Sequence, residues 1–144
     1  MENGQKEIAP TNRVKDFTDL ETWRCARNLR RMVYGISAKF PKLESFGLAS
    51  QMRRAAVSVT ANIAEDFGRY PYQENIQFCR QARGSVYELR DHFTTALDAE
   101  YVSKEQWAAL NDLAVSAIRL LNGYIRSTED MKLRSSNEVR NARG

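Results

Sequence analysis

Apolar residues recur along this chain at steps of three and four, and they do so in four separate blocks. Leu20, Trp23, Ala26, Leu29, Val33, Ile36 and Phe40 mark a first helix that ends before Pro41. Leu48, Met52, Ala55, Ala56, Val59 and Ile63 mark a second, from about Gly47 to Phe67, with Gly68 as its stop. Ile76, Cys79, Ala82, Val86, Leu89, Phe93 and Leu97 supply the stripe of a third, with Pro71 suited to its first turn. Trp107, Leu110, Ala114, Ala117, Leu121 and Tyr124 carry a fourth to about Ser127. Two capping boxes open helices: Thr18 with Glu21 before the first, and Ser103 with Gln106 before the fourth. All three prolines, Pro10, Pro41 and Pro71, fall outside the strongly periodic segments, as helix breakers should. No segment alternates with the period of two that a half-buried strand needs. Helices of roughly 20 to 28 residues are about 30 to 42 Å long, and short connections make consecutive ones antiparallel. The prediction is all-α: an antiparallel up-down-up-down four-helix bundle over residues 17–127, with a flexible arm at 1–16 and a flexible polar tail at 128–144.

The second block differs from an ordinary amphipathic helix, which has one dry face and one wet face. Beside its apolar stripe, Gln51, Arg54, Ser58, Asn62 and Glu65 form a polar stripe at the same spacing. A third face carries Arg53, Val57, Thr60 and Ala64. Three unlike faces predict more than one packing neighbour, which favours assembly over catalysis.

The 144 residues suffice for one domain with a proper core, and 42% hydrophobic with 28% charged residues is ordinary for a soluble fold. No apolar run approaches the roughly 20 residues that cross a bilayer. The opening MENGQKEIAPTNRVK lacks the apolar centre of a signal peptide. Cys25 and Cys79 are isolated thiols without CxxC spacing and read as small core residues. These features predict a cytoplasmic protein with no membrane partner.

Signatures of chemistry are missing. His92 is the single histidine, there is no Glu-x-x-His pair for a di-metal bundle, and no GxxxxGK[ST] or GxGxxG loop to cradle phosphate. The expectation is a non-enzymatic protein with no metal and no cofactor. Gly84 is out of place inside a helix, where glycine is worse than alanine by about 1 kcal/mol. Close approach of the third helix to Ala55, Ala56, Ala61 and Ala64 of the second would account for it. Gln51, Ser58, Asn62, Glu65, Ser85 and Glu88 would then form a polar network between the two helices, at a register point or a contact site. A solvated polar face is the plain alternative.

Charge adds one further element. The net charge is +4, and 16 of the 22 basic residues are arginine, the side chain suited to bidentate phosphate contact. Residues 18–68 hold eight cations against five anions, whereas residues 72–99 hold three against four. Arg24, Arg27, Arg30 and Arg31 on the first helix, with Arg53 and Arg54 on the second, are candidate contacts to a nucleic-acid backbone. Arg24, Arg27 and Arg31 share one face by their spacing. Equally, these arginines suit salt bridges to a neighbouring subunit, and the chain is then an oligomeric protein-interaction module with no nucleic-acid role.

Phe46-Gly47-Leu48, Gln51, Arg53-Arg54-Ala55-Ala56, Ser58-Val59 and Asn62-Ile63-Ala64-Glu65 together resemble the signature of a bacterial four-helix bundle family encoded in intervening sequences of large-subunit ribosomal RNA genes. Phe17-x-x-Leu20-x-x-Trp23 and Phe78-x-Arg80-x-Ala82-x-Gly84-Ser85-x-x-Glu88-Leu89 extend the resemblance over residues 16–127. The family is similar in fold to the accessory variability determinants of diversity-generating retroelements. One departure is visible: the family pattern continues Glu-Gly after Ile-Ala, whereas here Asp66 follows Glu65 and the glycine waits until Gly68. The resemblance implies a ring-like homopentamer without enzymatic activity, whose basic surface binds structured RNA or DNA. In the retroelement members, a reverse transcriptase is the partner.

Overall fold

A computed structural model describes residues 14–69 and 77–144. Among them the chain forms four α-helices and no strand: α1 (Glu21–Ser37), α2 (Leu48–Gly68), α3 (Gln77–Asp98) and α4 (Lys104–Arg143). Each helix packs against two others, α1 on α2 and α4, and α3 on α2 and α4, which is the adjacency of a four-helix bundle. The periodic residues turn inward as their spacing requires. Leu29, Val33, Met52, Val59, Ile63, Val86, Leu89, Phe93, Leu110 and Leu121 are fully buried in one continuous core. Truncating any of the larger ones to alanine costs about 2–5 kcal/mol, because neighbouring helices collapse only partly into the space.

The connection from α1 to α2 is built around a carboxylate. A single 3₁₀ turn, Lys42–Glu44, places the Glu44 side chain under the start of α2. There Oε1 accepts the Leu48 N–H at 2.9 Å and Oε2 accepts the Tyr101 hydroxyl at 2.9 Å. Glu44 thereby caps α2 and ties the α1–α2 loop to the α3–α4 loop. Gly47 makes this possible: a Cβ there would lie 2.7 Å from Glu44 Oε1.

At the other connection, α3 ends in a Schellman arrangement, with Glu100 N–H on Leu97 O at 3.0 Å and Tyr101 N–H on Ala96 O at 2.9 Å. The left-handed position of that motif falls on Glu100, at φ 63°. Ser103 then opens α4 with the expected box: its hydroxyl accepts from Gln106 N–H at 3.0 Å, and the Gln106 side chain accepts from Ser103 N–H at 2.9 Å.

Three expectations need correction. Thr18 and Glu21 do not form the first box. A 3₁₀ turn occupies Phe17–Asp19 instead, Asp19 Oδ2 accepts from the N–H groups of Lys15 and Asp16, and Thr18 donates to Asp16. Asp19 stands two residues before Glu21, and its carboxylate takes the free N–H groups at the start of the 3₁₀ turn. Second, α4 does not stop near Ser127. It continues to Arg143, and beyond Thr128 every residue is exposed, so no apolar period marked that stretch in the sequence. Third, Gly84 is no point of close helix approach, since a Cβ there would meet nothing within 4 Å. The placement of Pro71 and Ile76 in the third helix lies outside the described residues.

Candidate nucleic-acid interface

The six candidate arginines divide into two groups by what holds them. On the α1–α2 face the partners are neutral. Arg30 Nη1 donates to Thr60 Oγ1 at 2.9 Å, and Arg53 Nε donates to Ser37 Oγ at 2.9 Å. Both hydroxyls are buried, Ser37 in the last turn of α1 and Thr60 in the middle of α2. Each arginine also lies against a ring: the Arg53 guanidinium is 5.3 Å from the Tyr34 centroid, and those of Arg27 and Arg30 are 5.9 and 6.0 Å from Trp23. Trp23 is itself braced edge-on by Phe17 at 5.2 Å. Arg31 is exposed one residue beyond Arg30. Among the described residues Arg27, Arg30, Arg31 and Arg53 form no ion pair, so four positive charges on one face keep their full field. Hydroxyl bonds and ring contacts fix the direction of a guanidinium without neutralising it.

The second group is spent inside the chain. Arg24 Nε donates to Thr18 O at 2.8 Å, and its Nη2 lies 3.7 Å from Asp19, so it fastens the 3₁₀ turn to α1. Backbone N–H bonds from Lys15 and Asp16 hold the Asp19 carboxyl below its ordinary range, with Arg24 adding to the effect. Arg54 turns the other way from Arg53, toward α3. It donates to Gln51 Oε1 at 3.2 and 3.0 Å and ion-pairs with Glu88, whose Oε2 also meets His92 Nε2 at 3.0 Å.

That contact is part of a polar seam along the outside of the α2–α3 packing. Ser58 and Ser85 share a hydrogen bond at 3.0 Å, and Asn62 Nδ2 donates to Ser58 O at 2.9 Å and Ser58 Oγ at 3.1 Å. The structure therefore places Gln51 and Glu88 in one bonded group and Ser58, Asn62 and Ser85 in another along the same α2–α3 boundary, with Gln51 exposed and the other four half-buried. Glu65 is exposed and takes part in none of these bonds among the described residues. The seam is bonded to itself, so it sets the register of α2 on α3.

Four contributors escaped the sequence reading. Ser37 and Thr60 have the hydroxyls that orient the arginines, and Trp23 and Tyr34 the rings beside them. The signal for Thr60 was its place on the third face of α2, next to Arg53 and Val57. For Ser37 there was none, because a single serine at a helix end is common. A further buried acid, Asp66, stands beside Cys79 in the core. Burial, then the Asp66 charge and hydrogen bond, push the Cys79 thiol up to about 12. Burial also raises the thiol of Cys25. No group of three or more potential metal ligands occurs among the described residues, and no helix is long and apolar enough to cross a membrane.

The described residues form a small all-helical bundle with a face of arginines that have no carboxylate partner among them. Residues 18–123 match the model of the 23S rRNA-intervening sequence protein family, and the chain belongs to that family. A comparison with curated proteins gives no match.

Proposed function

We propose that this chain is a non-enzymatic cytoplasmic scaffold that assembles with copies of itself and binds structured RNA or DNA through the α1–α2 face. The observation that carries the reading is the pairing of Arg30 and Arg53 with neutral hydroxyls and aromatic rings in place of carboxylates. A guanidinium held this way has lost its conformational freedom before a phosphate arrives, and its charge is available when it does. Arg27 and Arg31 extend the same field along α1. Arg24 and Arg54 have a structural part in this scheme. The family resemblance supports a ring-like homopentamer, with RNA as the leading ligand. A narrower form of the proposal makes the chain the accessory subunit of a diversity-generating retroelement reverse transcriptase.

The test is binding to a structured RNA titrated across salt concentration. A steep log–log slope, equivalent to several released counterions, supports the proposal. No binding at low salt removes it. The reading then in force is an oligomeric protein-interaction module with no nucleic-acid role, which the exposed Phe46 favours.

A further inference from the structure

The groove between α3 and α4 is built on the same plan as the α1–α2 face. Arg83 Nη1 donates to Asn122 Oδ1 at 2.6 Å, and Arg90 Nε donates to Asn111 Oδ1 at 3.0 Å. The Arg90 guanidinium lies 5.7 Å from the ring centroid of Tyr87, which is 52% exposed. On the α1–α2 face Arg30 likewise bonds through Nη1 and Arg53 through Nε, with Tyr34 beneath Arg53. Each groove thus has two arginines held across a helix pair by neutral acceptors, one of them over a tyrosine. Arg83 and Arg90 stand at i and i+7, about 10 Å apart along α3. Arg30 and Ser37, the acceptor of Arg53, have the same spacing on α1.

An asparagine carboxamide orients a guanidinium without cancelling its charge. Among the described residues Arg83 keeps Nε and Nη2 without a partner, and Arg90 keeps Nη1 and Nη2. Each therefore retains an edge of two N–H donors, the fork that fits a phosphate. The acid between them in sequence, Glu88, is committed on the α2 side of α3 to Arg54 and His92. Asp91 and Asp112 follow Arg90 and Asn111 by one residue and are turned about 100° away. Arg126 shares the α4 stripe of Asn111 and Asn122 by its spacing, is exposed, and forms no ion pair among the described residues. Arg80 pairs with Glu129 at 3.3 Å and so bounds the groove at that end.

We infer that the α3–α4 groove is a second phosphate-binding site, which takes the backbone of a second nucleic-acid segment on Arg83 and Arg90. A phosphodiester strand brings both groups the groove is made for, anions for the two forks and flat bases for the Tyr87 ring; an acidic protein segment brings only the first. Because α1 and α3 each pack on α2 and α4, the α1–α2 and α3–α4 grooves lie on opposite edges of the bundle. A single chain then holds two segments at once, one on each edge. The choice of ligand rests on the reading of the α1–α2 face as a nucleic-acid interface, while the site itself rests on its own geometry.

Asn111→Asp combined with Asn122→Asp tests it. The change retains both hydrogen bonds and the side-chain volume but sets a carboxylate on each arginine, so the groove loses its charge while the fold stays, as unchanged helical circular dichroism would verify. A short RNA hairpin is titrated at low salt into protein held above the dissociation constant, and bound hairpins are counted per chain. Wild type should take up two, and the asparagine variant one. Arg83→Gln with Arg90→Gln, which leaves the asparagines in place, should lose the same hairpin. An unchanged count in either variant overturns the inference. Poly-glutamate that binds the groove as tightly as the RNA, charge for charge, makes the occupant an acidic protein and overturns it as well. Arg30→Gln with Arg53→Gln separates the two readings. A fall in that variant alone leaves the α1–α2 face and removes this site; a fall in the α3–α4 variants alone does the reverse.

Discussion

Arg53 and Arg54 are neighbours in sequence and serve opposite sides of α2. Arg53 reaches α1, where Ser37 Oγ accepts from its Nε at 2.9 Å and Tyr34 lies under its guanidinium. Arg54 reaches α3 and the Glu88 carboxylate. One step along a helix rotates a side chain by about 100°, enough to carry the second arginine across the helix into another interface. A pair that looks like one basic patch in the sequence is one available charge and one neutralised charge in the fold.

A direct consequence concerns RNA binding. Arg30→Gln together with Arg53→Gln should lower affinity about tenfold or more at moderate salt and reduce the salt slope by roughly 1.5 to 2. Arg54→Gln should leave the slope unchanged within error, since its charge is already matched by Glu88. Filter-binding titrations at four or more salt concentrations distinguish these. Equal effects from Arg53→Gln and Arg54→Gln would contradict the division between faces.

The sequence disclosed the fold more fully than the site, and the residues explain why. Burial of Leu29, Val59, Leu89 and Leu110 follows from a period that is repeated many times, so errors at single positions cancel. The orientation of an arginine depends on one hydrogen bond to a residue far along the chain, such as Arg30 to Thr60, and no repetition marks it. The extension of α4 to Arg143 was hidden for a related reason. Its last turns, with Arg140 and Arg143, are polar and exposed all round, and a polar helix has no face for a pattern to display.

Gly47→Ala tests the Glu44 cap. The new Cβ displaces Oε1 from Leu48 N–H and with it the link from Oε2 to Tyr101. Loss of a helix N-cap costs about 0.5–2 kcal/mol. Urea denaturation should show that loss as a lower midpoint with an unchanged slope. Tyr101→Phe, which removes only the loop-to-loop bond, should cost less.

Asp19 predicts an acid-sensitive element. Its folded carboxyl titrates below the ordinary value of 3.8, owing chiefly to the Lys15 and Asp16 N–H bonds. A group depressed on folding contributes stability above its unfolded pKa, and that contribution fades as pH falls through the folded value. The melting-temperature gap between wild type and Asp19→Asn should therefore be constant from pH 7 to about pH 5 and shrink below pH 4. A gap that persists undiminished at pH 2.5 would remove Asp19 as the source.

Glu100 occupies a position that suits glycine. It is the only non-glycine residue at positive φ among those described, and it holds the left-handed turn that lets Tyr101 N–H close on Ala96 O. The Cβ of an L-residue there crowds the following carbonyl at a cost of about 1–2 kcal/mol. Glycine removes the crowding but loses more backbone freedom on folding, which offsets roughly half of the gain. Glu100→Gly should then stabilise the chain by about 0.5–1 kcal/mol, raising the thermal midpoint by a few degrees for a domain of this size. Glu100→Ala is the control: it retains the Cβ and the strain while removing the same carboxylate. Should alanine stabilise as much as glycine, the effect belongs to charge at the end of α3, where a carboxylate faces the negative end of the helix dipole, and the backbone account fails.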